Sequence, residues 1–354
     1  MSDRILVSTR KGLFILARQA GEWRVLHAAL SGAPMTAALS DPRAGVLYAA
    51  ANHGHFGAKF YRSEDGGASF QELACPAFAK SEDGSGPSLF QIWCLEAGAS
   101  PGTVWAGCIP DGLFRSDDRG ESWRLIQPLW DRPERARAFG GSYDHPGIHS
   151  FLIDPRNPRH LIAAISCGGV WASEDEGESW EMRTDGLKAA YMPPEQDEDG
   201  AVQDPHRVSA CAAAPDRLWM QHHNGVFMSR DAGRRWLRIE PPISGFGFAV
   251  AAHPADPETA WFAPSKSDEH RFPEEGRFCI TRTRDGGRSF AVLETGLPRP
   301  AYDLVYRHGL DVDASGDQLA LASTTGGLWT SRDGGERWQA LSVRLPPVSA
   351  IRFA

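Results

Sequence analysis

No stretch of this chain approaches the ~18 consecutive apolar residues of a membrane-spanning helix. Nor does it carry a long basic run: 37 Lys and Arg stand against 45 Asp and Glu, a net charge of -8. That balance argues against nucleic acid and against an anionic membrane surface as partners. The opening Met1-Ser2-Asp3-Arg4 has no apolar signal segment and leads into a short strand, with Arg10 and Lys11 close behind. Cysteine is sparse and scattered: Cys75, Cys94, Cys108, Cys167, Cys211 and Cys279 include no Cys-x-x-Cys pair. They read as reduced core thiols of a cytoplasmic protein.

What the chain has instead is a repeat. The pattern Ser/Thr-x-Asp-x-Gly-x-x-Trp/Phe occurs six times, at Ser63-Asp65-Gly67-Phe70, Ser116-Asp118-Gly120-Trp123, Ser173-Asp175-Gly177-Trp180, Ser229-Asp231-Gly233-Trp236, Thr283-Asp285-Gly287-Phe290 and Ser331-Asp333-Gly335-Trp338. Successive copies start 53, 57, 56, 54 and 48 residues apart, which is the period of a propeller blade or a comparable unit. A decayed seventh copy opens the chain. Laying Leu13-Phe14 on Leu113-Phe114 brings Trp23 onto Trp123, with Leu16, Arg18 and Ala20 in place of Ser, Asp and Gly.

Each box sits between an apolar, β-rich segment such as Gly169-Val170-Trp171 and a short alternating one such as Trp236-Leu237-Arg238-Ile239, which reads as strand, tight turn, strand. In the turn the Asp accepts backbone N–H groups and the Gly takes φ > 0. Two further strands precede, for example Ser150–Ile153 and His160–Ile165, joined by Asp154-Pro155-Arg156-Asn157-Pro158. Seven four-stranded units arranged radially make an all-β, seven-bladed β-propeller, a single domain over residues 1–354. The segment from Pro347 to Phe353 reads as an innermost strand, and Arg4–Ser8 as a second one. The C-terminal strand is therefore expected to pair into the N-terminal blade and close the ring.

These boxes resemble the Asp-box or bacterial neuraminidase repeat (BNR) family, over essentially the whole chain. The resemblance narrows to intracellular, single-domain bacterial members through Gly54-His55-Phe56-Gly57, His145-Pro146-Gly147 and the 268–276 segment. It implies that the six Asp residues are structural and lie on the rim opposite the ligand face. Sialidases, xyloglucan-cleaving glycosidases, sortilin-type receptors and a photosystem II assembly factor share such propellers, so the resemblance offers several chemistries and selects none.

With strands lettered A to D from the axis outward, the A–B and C–D turns share one face; the B–C loops and the D–A crossings share the other. The boxes are C–D turns. The long insertions fall on the other face: D–A crossings over Gln127 to Ile148, Thr184 to Arg207 and Glu294 to Ala301, and a B–C loop over Ala263 to Arg277. Functional loops on rigid scaffolds are where sites are usually built. Eight of the 12 His are expected there: His53, His55, His145, His149, His206, His222, His223 and His270.

Counting back from the A–B turn prolines places Thr36, His149, Ser209 and Phe248, with Gln91, around the channel mouth. His149, His206 and His223, from adjacent blades, are the expected ligands of a divalent transition metal (Zn, Fe, Cu or Mn), weighed against hydrogen bonding to loop backbone or to an anion. No organic cofactor is expected. His145, Asp144, Tyr143 and Arg10 are the catalytic candidates, and His53, His55, Gln91, Gln221, His222, His270 and Arg271 the ligand-binding ones.

The expected function is an enzyme or binding protein for a small polar molecule at the channel mouth. In its metal-assisted hydrolase or lyase form, the metal polarises a carbonyl or brings a water pKa toward ~7, and Asp144 or an unligated His moves the proton. Sialidases open with Phe/Tyr-Arg-Ile-Pro and use an arginine triad; here that motif is absent and Arg10 alone lies near its place. A glycosidase needs two carboxylates about 5 to 9.5 Å apart, for which Asp111, Asp144, Asp185 and Asp303 are available. The remaining alternative is a noncatalytic scaffold with a protein partner on the same face.

Overall fold

The computed structural model of the chain describes residues 1–341 and 343–354. It contains seven four-stranded antiparallel sheets. Blade four is typical, with Gly147–Ile153 innermost, then Leu161–Ser166, Gly169–Ser173 and Glu181–Met182 at the rim. In blade one the innermost strand is Val348–Phe353, which pairs antiparallel with Arg4–Thr9 so that Ile5 faces Phe353 and Val7 faces Ile351. The expected closure is what the structure shows, and it joins the two ends of the chain in one sheet.

The boxes form one repeated turn. In blade four Ser173 Oγ donates to Asp175 Oδ1 at 2.8 Å and accepts from Gly177 N at 2.8 Å, while Ser179 gives its N–H to Oδ1 and its hydroxyl to Oδ2, at 2.9 and 2.6 Å. The Asp175 carboxyl is drawn down to about 2, chiefly by the Ser179 hydroxyl. The box glycine is required twice over. Gly120 has φ +87°, and a Cβ there would lie 2.5 Å from Phe60 Cε1 in the preceding blade. Two of the box tryptophans also bind the preceding blade: Trp123 Nε1 donates to Ala74 O at 2.9 Å and Trp236 Nε1 to Arg183 O at 3.0 Å. The boxes of blades three and five thereby fasten their blades to the ones before, and the core runs as clusters shared between adjacent blades, such as that of Trp261, Trp329 and Trp338.

At the opposite end of the inner strands the sheets share a second irregularity. One extra residue is inserted at Ser349, Thr36, Trp93, His149, His206 and Phe248 in blades one to six. A bulge of this kind re-aims the side chain it carries. Four of these side chains stitch blade to blade through the carbonyl just before the next bulge: Ser349 Oγ to Met35 O at 2.6 Å, Thr36 Oγ1 to Ile92 O at 2.7 Å, His149 Nε2 to Pro205 O at 2.7 Å and His206 Nδ1 to Gly247 O at 2.6 Å.

Two expectations are corrected here. The bulge equivalent to His149 is His206 in blade five and Trp93 in blade three, not Ser209 and Gln91. Pro215 misleads because it lies inside the strand Ala214–His222, whereas Pro155 lies in a turn. The crossing into blade seven also runs beyond Ala301 to Gly309, since its inner strand is only Leu310–Val312.

Candidate functional site

The B–C loops and D–A crossings, on the face opposite the boxes, surround a cavity of about 800 Å³ at the channel mouth. Its lining includes Arg10, Lys11, Arg271, Arg307 and His308, the polar Asn52 and Gln91, and the aromatic Trp93, Tyr143 and Tyr306. No carboxylate lines it among the described residues. Such an excess of cations is unexpected in a protein of net charge -8 and makes the mouth a local electropositive well.

Arg307 is central to it. Its guanidinium lies over two rings, 4.9 Å from the Trp93 centroid and 5.3 Å from that of Phe248. Burial lowers its pKa, against an upward pull from Asp204, and its buried Nε has no hydrogen-bond partner. Arg271 sits 5.4 Å from the Phe248 centroid and pairs with Asp268. Tyr143, at φ +57°, stacks on Phe90 at 5.9 Å and takes a 3.3 Å hydrogen bond from Asn52 Nδ2. Deeper in the channel, Arg352 pairs with Glu96 at 2.6 Å beside Arg207 and Asp311, around a small space of about 100 Å³.

Behind Phe248 lies a second constellation. The Phe248 ring stacks on His206 at 4.5 Å, and His206 meets His223 edge-on at 5.4 Å. Asp204 Oδ2 is 3.4 Å from His206 Nε2 and 3.4 Å from His223 Nδ1. The other carboxylate oxygen accepts from Ser166 Oγ at 2.8 Å and from Cys167 N at 3.1 Å. Burial works to raise the Asp204 carboxyl, but His206, His223 and Arg307 outweigh it and hold it well below the usual range. Burial lowers His206, against an upward pull from the Asp204 carboxylate.

The expected site residues divide accordingly. Arg10, Tyr143, Gln91 and Arg271 line the mouth. Asp144 and His145 lie outside the lining; His145 stacks on Phe90 at 5.0 Å. His53, whose ring reaches Tyr61 Oη at 3.4 Å, and the exposed His55 and His270 are also outside it. Gln221 is buried and committed to the carbonyls of Gly245 and His222, at 2.8 and 3.1 Å. His222 is buried between the N–H groups of Asp204 and Asn224 and is pushed down to about 3 by burial.

Of the three expected metal ligands, His206 and His223 come together and His149 does not join them. Both His149 ring nitrogens are occupied, Nδ1 by Ser150 Oγ at 2.9 Å and Nε2 by Pro205 O. Asp204 takes its place. Asp111, one of the candidate glycosidase carboxylates, is buried against Arg132 and Arg135, and Asp303 accepts from Ser323 Oγ at 2.7 Å; neither lines the mouth.

Sequence reasoning missed Lys11, Arg307, His308 and Asp204. A further cavity of about 470 Å³ lies toward the box face between blades four and five, where its charged groups are tied up in pairs such as Arg183 with Glu174 at 2.8 Å.

No known family model matches the chain. It is 22% identical over 327 residues to a "Probable oligoxyloglucan-reducing end-specific xyloglucanase" of Neosartorya fischeri, a match covering 83% of this chain and 37% of that protein. Among solved structures it is similar to the GH74 xyloglucanase from Xanthomonas campestris, with 21% identity and a TM-score of 0.66 over 96% of this chain and 53% of that one. It is also similar to YCF48 bound to D1 peptide, with 15% identity and a TM-score of 0.56 over 88% and 82%. The chain thus spans about a third to a half of the xyloglucanases it matches, and the likeness is one of fold.

Proposed function

We propose that this chain is a carbohydrate-directed propeller of glycoside-hydrolase-like fold, a BNR/Asp-box protein, whose mouth pocket takes a small polyhydroxylated anion such as an acidic sugar. The observation that carries this reading is the convergence of Arg10, Lys11, Arg271 and Arg307 on a cavity with no lining carboxylate among the described residues. Guanidinium groups bind carboxylates through charge-assisted hydrogen bonds, strongest where water is excluded. Tyr143 and Tyr306 offer ring faces for sugar C–H groups, and Asn52, Gln91, Ser142 and Ser349 offer partners for hydroxyls. The fold of the xyloglucanase neighbours supports the carbohydrate part of the reading; the cations set the charge of the ligand. The six separate thiols support a cytoplasmic location.

Hydrolysis by paired carboxylates needs two of them about 5 to 9.5 Å apart across the bond, and the lining supplies none. The pocket is instead suited to chemistry in which cations neutralise a carboxylate. Calorimetric titration with hexuronate monomers and dimers, aldonates and neutral xyloglucan oligosaccharides tests this. Acidic sugars should bind and neutral ones should not, and Arg307→Ala should abolish the difference; preferential binding of neutral oligosaccharides would overturn the proposal.

A second reading is favoured by the aromatic side chains exposed on this face, Phe56, Tyr143 and Tyr302. YCF48, which this chain matches over most of both lengths, is solved bound to a peptide, and a peptide's terminal carboxylate would meet the same cations. A stoichiometric protein partner released by Arg10→Ala, together with silence toward every sugar, would favour it.

A further inference from the structure

Blade five brings three metal-ligating side chains together from three local positions. Asp204 ends the crossing into the blade, His206 is the bulged residue of its inner strand, and His223 lies in its B–C loop just after Ala214–His222. Their ligand atoms all lie within 4.8 Å of one another. Asp204 and His206 are almost fully buried, at 7% and 2% exposure, whereas the His223 side chain keeps 22%.

The contacts are poor hydrogen bonds and good coordination edges. At 3.4 Å, both Asp204 contacts exceed the ordinary N–H···O separation of about 2.9–3.0 Å. Two ligands at about 2.0–2.2 Å from one tetrahedral ion stand about 3.4 Å apart. The His206 tautomer adds to this. Nδ1 must carry a proton to donate to Gly247 O at 2.6 Å, which leaves Nε2 as the ring nitrogen facing the Asp204 carboxylate. In the neutral ring that nitrogen offers a lone pair, and with the carboxylate oxygen it makes a pair of donor atoms for one cation. The supporting contacts are those of a metal ligand set, in which the far side of each ligand is held by its own hydrogen bond. Gly247 O holds His206, and Ser166 Oγ with Cys167 N holds the Asp204 oxygen that faces away from the imidazoles.

We propose that Asp204 Oδ2, His206 Nε2 and His223 Nδ1 bind one divalent transition-metal ion, zinc or iron(II), with at least one coordination position left to water or ligand. Two imidazoles and one carboxylate suit these borderline ions and not calcium or magnesium, which prefer oxygen-rich shells. The ring of Phe248, stacked on His206 on one side and contacted by Arg271 and Arg307, makes the centre a neighbour of the mouth cavity. The inference stands apart from the anionic ligand, because the ion is held by protein atoms alone.

The test is metal binding by the intact chain. Protein prepared without chelators is analysed for its metal content, then stripped and titrated with Zn²⁺ and Co²⁺ by calorimetry and visible absorption. One ion per chain, Co²⁺ bands of a nitrogen- and oxygen-ligated centre, and no response to Mg²⁺ are expected. His223→Ala, at a partly exposed loop position, should weaken Zn²⁺ binding at least tenfold while the stripped protein melts as wild type does. His145→Ala should bind as wild type. If stripped wild type takes up neither ion stoichiometrically, or His223→Ala binds Zn²⁺ as tightly as wild type, the proposal fails.

Discussion

His149 Nε2 donates to the carbonyl of Pro205 at 2.7 Å, so an imidazole from blade four holds the backbone just before the bulge of blade five. The contact gives His149 a structural duty shared with Ser349, Thr36 and His206, whose side chains do the same at other blade junctions. Its burial keeps it well below the ordinary histidine value, with Arg307 as the next cause, as suits a neutral donor in a wall.

His149→Ala should therefore act on stability. Leaving the buried Pro205 carbonyl without its donor costs about 1–3 kcal/mol, read as a lower denaturation midpoint in urea. Zinc uptake by the stripped variant should match that of wild type. A variant as stable as wild type that has lost metal would return His149 to the ligand set.

The box turn makes a demand on glycine that can be measured. Gly120→Ala places a Cβ at φ +87° and 2.5 Å from Phe60 Cε1, which should destabilise by about 1–3 kcal/mol through backbone strain and overpacking. Gly84, at φ +78° with nothing within 4 Å of a Cβ, isolates the backbone part, and Gly84→Ala should cost about 1 kcal/mol. Equal losses in urea titrations would remove the inter-blade contact from the account.

The same turns set an acid limit. Asp175 and Asp285 are both drawn from 3.8 down to about 2, in each case chiefly by the hydroxyl of the serine that ends the turn, Ser179 or Ser289. A carboxyl depressed in the folded state contributes in full above its unfolded value and loses that contribution as pH falls through the folded one. Melting temperature should hold above pH 4 and fall from there toward pH 2 as these carboxylates protonate. The Asp175→Asn, Asp285→Asn double variant should show a shallower fall; an identical slope would assign acid unfolding to other groups.

The architecture was legible because its signals are local. Each box spells out its own turn, as Ser173, Asp175 and Gly177 do within five residues, and both the blade count and the closure by Val348–Phe353 follow from the spacing. The site was legible only in part, because it depends on register. The extra residue that turns His206 toward Asp204 leaves no mark in the sequence, and the short inner strand of blade seven moved Arg307 and His308 to the mouth when the crossing was expected to end at Ala301. His206 and His223 were found by counting histidines on one face; Asp204 could have been found as the carboxylate two residues before His206.

The central claim is that the mouth selects a ligand for its negative charge. Its most direct test is the affinity of the intact chain for a hexuronate oligosaccharide compared with its carboxyl-reduced, neutral counterpart of the same linkage, measured by calorimetry at two salt concentrations. The account expects the acidic form to bind at least tenfold more tightly, by a margin that shrinks as salt rises. Equal affinity for the two forms, or tighter binding of the neutral one, would contradict it.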